Sequence, residues 1–172
     1  MRSTYRTACP VPLSDLRYLR LSYHGFDGRR QTGELVVSAE VATQVLTVFR
    51  TLYDQGFPIR SMRPVSDFNG SDDASMGADN TSAFNCRRIT GGSSWSEHSY
   101  GDAVDINPRE NPQESGGAVL PTAGAAFAGR PDAPGVIHPD DLVVRAFTAI
   151  GWTWGGSWSS PVDLQHFSRN GR

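Results

Sequence analysis

The chain lacks any run of about 18 apolar residues, so nothing in it reads as a membrane-spanning helix. Its opening, Met-Arg-Ser-Thr-Tyr-Arg-Thr-Ala-Cys-Pro, holds no apolar stretch, and no secretory signal is visible. It also lacks an excess of charge of either sign. A net charge of −2 argues against a protein built to coat a nucleic acid backbone. Cysteine is scarce: Cys9 and Cys86 are the only two, far apart and outside any Cys-x-x-Cys motif. That spacing excludes a structural zinc site on thiolates. It leaves two readings, one disulfide pinning the N-terminal arm to the middle of the chain, or two buried free thiols. No internal repeat is present, and 172 residues suit a single core. We therefore expect an arm over 1–15 and one domain over 16–172.

Glycine and proline, by contrast, are plentiful, with 18 and 11 residues, so turns and loops should occupy much of the chain. Leu19, Leu21 and Tyr23 alternate with polar residues and predict a strand. Phe26-Asp27-Gly28 predicts a turn, and Glu34 to Val37 a returning strand. Val41, Val45, Leu46, Phe49, Leu52 and Tyr53 recur at helical spacing. With Ser38 as N-cap and Gly56 as stop, they predict a helix over about 39–55. Phe57 to Met62 reads as a short strand. The polar stretch from Pro64 to Gly92 is long for a connection, and such segments are usually functional. Ala103 to Ile106 predicts a strand, 109–138 a surface loop, and Pro139-Asp140-Asp141 the start of a second helix ending at Gly151. Trp152 and Trp154 alternate on a strand, and Asp163 to Phe167 forms the last element. The order predicts an α+β fold: a small single domain with a mostly antiparallel sheet, two main helices and long loops.

The chemistry concentrates in two segments. In Ser96-Glu97-His98-Ser99-Tyr100-Gly101-Asp102-Ala103-Val104-Asp105, a turn at Gly101 would let the chain double back and bring His98 to Asp105. Asp105 leaves its strand on the same face as the small Ala103. In Asp163-Leu164-Gln165-His166-Phe167, His166 offers a third ligand and Asp163 a carboxylate able to address a metal-bound water. Imidazole nitrogen and carboxylate oxygen are proper zinc ligands, and three ligands with one open position mark a catalytic site. Spacing alone leaves other readings open: His98 as a loop histidine, His166 as a core histidine beside Phe167, and Asp163 as a structural cap.

Residues 96–105 match Ser-x-His-x-x-Gly-x-Ala-x-Asp, and Asp163-x-x-His166 completes the pattern. Together they resemble the M15 peptidases, the zinc D-alanyl-D-alanine carboxypeptidases and L-alanyl-D-glutamate endopeptidases, over roughly residues 9–168. Phe57-Pro58-Ile59-Arg60-Ser61-Met62, Asn80 to Arg87 and Asp105-Ile106-Asn107-Pro108 resemble the actinobacterial branch of that family, which holds endopeptidases. The resemblance implies a Hedgehog/DD-peptidase-like fold. It implies Zn2+ on His98, Asp105 and His166, with Asp163 as general acid/base toward a zinc-bound water. It implies Arg60 as the arginine that polarises the scissile carbonyl, with Arg63, Arg87 and Arg88 as rivals. Ser96 and Arg87 are expected to touch substrate or support a ligand; for Ser96 a turn-forming hydroxyl weighs equally. The implied partners are peptidoglycan stem peptides, with no nucleic acid and no membrane span, acted on by a monomer located outside the cell or in the wall. The alternative is a non-catalytic zinc or wall-binding module on the same scaffold, as the Hedgehog signalling domain illustrates. Neither the peptide bond cleaved nor the choice between carboxypeptidase and endopeptidase follows from the motifs.

Asp67-Phe68-Asn69-Gly70-Ser71-Asp72-Asp73 invites a calcium reading, but Asp72 and Ala78 stand where an EF-hand loop needs Gly and Glu. His24 and His138 sit in turn contexts and are expected to be surface or capping groups. Trp95 and Trp158 flank the two chemical segments and are candidates for cleft walls or core.

Overall fold

The computed structural model describes residues 3–89 and 92–171. Met1, Arg2 and Arg172 lie outside the described residues, as do Thr90 and Gly91 of the polar stretch. β1 (Leu16–His24) and β2 (Arg30–Ser38) form an antiparallel hairpin with Leu16 opposite Ser38 and His24 opposite Arg30. The alternation read from Leu19, Leu21 and Tyr23 is its buried face. α1 (Ala42–Asp54) lies on that face and buries Val45, Val48, Phe49 and Leu52. Each such side chain contributes roughly 1.5–3 kcal/mol by leaving water.

The helix starts later than its stripe predicts, and Ser38 does not cap it. Ser38 is still strand: its N–H donates to Gly101 O at 2.9 Å, and its Oγ accepts from Glu40 N. Val41 takes the N-cap position without a side-chain cap. The strand read over 57–62 is likewise trimmed to β3 (Ser61–Met62), because Ile59 N donates to His24 O and Arg60 N to Asn107 Oδ1.

The polar stretch after Arg63 is folded. A 3-10 turn at Val65–Phe68, α2 (Asp72–Gly77) and β4 (Asn80–Thr81) follow, and β4 pairs with β3 in parallel. Asn80 organises it, holding Ser61 Oγ and Arg63 N on Oδ1 and reaching Arg63 O and Ser75 Oγ through Nδ2. Ser71 caps α2 by accepting from Ala74 N, with Asp72 and Asp73 in the first turn.

β5 (Ala103–Asp105) then enters the centre of the molecule. The span 109–138 is not a plain surface loop. It contains the hairpin β6 (Gln113–Ser115) and β7 (Ala118–Leu120), then a 3-10 segment at Thr122–Phe127. Glu110, Asn111, Val136 and Ile137 within it are buried. Asn111 replaces a regular ladder there, donating to Ile106 O and Gly135 O and accepting from Ile137 N and Arg130 Nη2. α3 (Leu142–Thr148) opens at Asp141, whose carboxylate accepts from Val143 N and Val144 N, rather than at Pro139.

The tail supplies β8 (Thr153–Trp154), β9 (Val162–Asp163) and β10 (His166–Ser168). Asp163 to Phe167, read as one element, is two strands in two sheets: order β5-β10-β8 and order β7-β6-β9, both antiparallel. The fold is thus a small α+β domain in which, among the described residues, three of four sheets are antiparallel. The main core joins α1, α3 and the central sheet, with Phe147 stacked on Phe167 at 4.2 Å between ring centroids. A smaller apolar cluster of Leu16, Val36, Phe84 and Cys86 is covered by Tyr5, Cys9 and Val11 of the arm. Cys9 and Cys86 form a disulfide there.

Candidate metal centre and cleft

The first chemical segment folds as a 3-10 turn, Glu97–Ser99, closed by Tyr100 N on Glu97 O and Gly101 N on His98 O. Gly101 then reverses the chain at φ +75°, and a Cβ there would sit 2.5 Å from Ser38 N. Only glycine satisfies both demands. The turn delivers the chain into β5, where Asp105 pairs with Ser82 through both backbone hydrogen bonds and stands opposite His166 of β10. Directly opposed residues of an antiparallel pair share a face. His98 approaches that face from the turn.

The three side chains meet. His166 Nδ1 lies 3.0 Å from Asp105 Oδ1, His98 Nε2 lies 3.2 Å from Asp105 Oδ2, and the two imidazole nitrogens lie 3.3 Å apart. Ligands about 2.0–2.2 Å from one tetrahedral ion stand roughly 3.3 Å from each other. All three residues are buried. Among the described residues, this trio is the group whose ligand atoms lie within 4.8 Å of one another. His98 Nδ1–H donates to Ala83 O at 2.6 Å, which leaves the Nε2 lone pair of a neutral ring facing the other two ligand atoms. Two nitrogens and a carboxylate converging in this way fit a divalent cation. Burial opposes ionisation of Asp105, yet the two histidines outweigh it and hold the carboxyl well below the usual range. Burial likewise opposes charging of His98, and Asp105 overcomes it, so the His98 pKa moves up.

Asp163 stands at the end of β9, beside the trio. Gly155 is packed between them: a Cβ there would lie 2.6 Å from Asp163 O and 3.3 Å from His166 Cβ. Asp163 Oδ2 accepts from Gln113 Nε2 at 2.8 Å, while Oδ1 is buried with no hydrogen-bond partner among the described residues. Burial pushes the Asp163 pKa up to about 6, the Asp105 charge adds to this, and the histidines and Gln113 oppose it.

A cleft of about 920 Å³ opens on these four residues. Ser96 and Arg87 line it. Arg87 Nη2 pairs with Asp72 Oδ2 at 2.5 Å, and its Nε is buried without a partner among the described residues. Trp158 walls the cleft with its ring 5.3 Å from His166. Trp95 does not; it packs under Arg88, whose guanidinium lies 3.7 Å above its ring.

Arg60 is not brought to the cleft. Its guanidinium lies 3.8 Å over the Phe26 ring, 3.5 Å from Asp79 and 3.7 Å from Glu110, and lines a separate hollow with Tyr23 and Asp27. Ile59 before it is buried and Arg60 is exposed, so the alternation along this segment turns the guanidinium away from the core. Arg63 pairs with Asp67, so Arg87 alone of the four arginines faces the trio's cleft. His24 stacks on Tyr53, and His138 lies beside the α3 cap, as expected of groups outside the site.

Sequence reading missed Gln113, Gln165, Asp72 and Leu120, which also line the cleft. For Gln113 and Leu120 a signal existed: Gly116-Gly117 between short polar and apolar runs is a hairpin signature.

Residues 90–169 match the family model described as D-alanyl-D-alanine carboxypeptidase, a model of M15 peptidases, and this segment holds all three members of the trio and Asp163. No curated protein and no solved structure matches the chain. The match covers just under half of the chain and supports an M15-type peptidase.

Proposed function

We propose that the protein is a zinc peptidase that hydrolyses peptide bonds in peptidoglycan stem peptides, as a D-Ala-D-Ala carboxypeptidase or an L-Ala-D-Glu endopeptidase. The observation that carries this reading is the convergence of His98, Asp105 and His166 on one point at the floor of a cleft, with Asp163 beside them. Those three residues would hold the zinc, which when bound supplies an acidified water and a Lewis acid for the scissile carbonyl.

The rest falls to side chains of this chain. Asp163 Oδ1 takes a proton from the attacking water and returns it to the departing amine. Burial raises its pKa and a divalent cation on the trio would lower it again, which keeps the carboxylate ionised for the first transfer. Arg87 presents a fixed guanidinium, the chemistry needed to hold a substrate carboxylate or a developing oxyanion. It replaces Arg60 in that role. Trp158 and Leu120 offer apolar surface for side chains of the peptide. The Cys9–Cys86 disulfide, with this substrate, supports a location outside the cell or in the wall. Within the arm, Tyr5, Cys9 and Val11 brace the domain that follows.

Digestion of purified muropeptides, read by mass spectrometry with and without chelator, tests this. Chelator-sensitive loss of terminal D-Ala identifies a carboxypeptidase, and cleavage between L-Ala and D-Glu an endopeptidase. A chain that binds zinc and cleaves nothing is the wall-binding module instead. Asp163→Ala should lower the rate by orders of magnitude while zinc stays near one per chain; retained activity removes Asp163 from the mechanism.

A further inference from the structure

A carboxylate has two oxygens, and a proton shuttle works best when one of them is committed elsewhere. β6 and β9 pair so that Gln113 stands directly opposite Asp163. Gln113 Nε2 donates to Asp163 Oδ2 at 2.8 Å. Next to this contact, Leu164 N donates to Pro112 O, so the strands are tied on both sides of the pair. From behind, Gly155 presses on the Asp163 backbone, leaving no room for a Cβ. Both Gln113 and Asp163 line the cleft, and Asp163 Oδ1 is the oxygen without a partner among the described residues.

We propose that Gln113 is a positioning residue: its amide ties down Asp163 Oδ2 and makes Oδ1 the oxygen that carries the proton. The inference rests on Asp163 being the general acid/base. Accepting the Gln113 N–H makes Oδ2 the less basic oxygen, so a proton arriving at Asp163 favours Oδ1 and leaves from there to the amine. Without the tie, the carboxyl turns about its broad, roughly two-fold terminal torsion and shares the proton between both oxygens. Nothing in the local sequence around Asp163 marks Gln113; the pairing is made by a hairpin fifty residues earlier in the chain.

The test replaces Gln113 with Leu and, separately, with Met, each close to the native size and without a donor. Muropeptide cleavage, zinc content and thermal unfolding are measured for both. The proposal predicts that kcat falls about 10- to 100-fold in each variant, with KM within about twofold and zinc still near one per chain. Gln113→Met should fare no better than Gln113→Leu, since a thioether cannot donate. In an Asp163→Ala background, Gln113→Leu should add no further loss, because the two residues act as one unit. Unchanged kcat in Gln113→Leu overturns the proposal. So does a loss confined to Gln113→Leu, which would mark a packing role, or a full additional loss in the Asp163→Ala background. If Asp163→Ala itself keeps activity, the base assignment fails first and the positioning role falls with it. A wild-type chain that cleaves no muropeptide overturns both.

Discussion

Asp163 owes its character to where it stands. Desolvation raises its pKa to about 6, further helped by Asp105, so its charged form is held at a cost. A general base acts only when ionised. The rate should therefore be full above this value and decline as pH falls through it, with a divalent cation on the neighbouring trio moving the limb to lower pH. The sign is the point: the acid side of the kcat/KM profile carries the Asp163 limb at or below about 6. An acid limb that persists unchanged in the residual activity of Asp163→Ala would show that Asp163 is not its source. At this scale the sequence was most informative. His98 and Asp105 are close in the chain, and Gly101 between them has a conformational reason that a reader can state in advance. Arg60 was less legible, because the groups its guanidinium meets, Phe26, Asp79 and Glu110, come together only in the tertiary fold.

At the scale of elements, legibility followed length. α1 was readable from its apolar stripe, since a helix of 13 residues declares its own period. Its start was not, because the preceding strand competes for Ser38 through Gly101 O. Strands of two or three residues, such as β3, β6 and β9, have no period to read; register with a distant partner makes them. The tail shows the functional consequence. β9 and β10 belong to different sheets, and the Leu164-Gln165 turn between them presents Asp163 and His166 to the same cleft. Gly155 fills the remaining space. Gly155→Ala should cost roughly 1–3 kcal/mol, as overpacking does, and should weaken zinc binding by moving His166. Denaturant unfolding together with zinc titration checks this. Wild-type zinc affinity in a stable variant would show that Gly155 is not needed to seat the ligand.

For the whole molecule, the arm and the cleft are linked through Cys86. The disulfide closes a loop of 77 residues, and Cys86 N also donates to Thr4 O. The next residue, Arg87, faces the cleft, and its N–H is held by Ser99 Oγ. Composition could not choose between a disulfide and free thiols, because the choice depends on the arm folding back over Phe84. Closing a loop of this size stabilises by about 4.5 kcal/mol in the chain-entropy account. Cys9→Ser with Cys86→Ser, or reduction of the native chain, should lower stability by that amount while zinc content is unchanged. Equal midpoints in denaturant with and without reductant would contradict this.

The central claim is that His98, Asp105 and His166 form one metal centre. Its most direct test is zinc stoichiometry, measured by elemental analysis after dialysis, on the native chain and on Asp105→Ala. The geometry predicts about one zinc per chain in the native protein and essentially none in the folded variant. A native chain that holds no zinc, or an Asp105→Ala chain that retains it fully, would contradict the account.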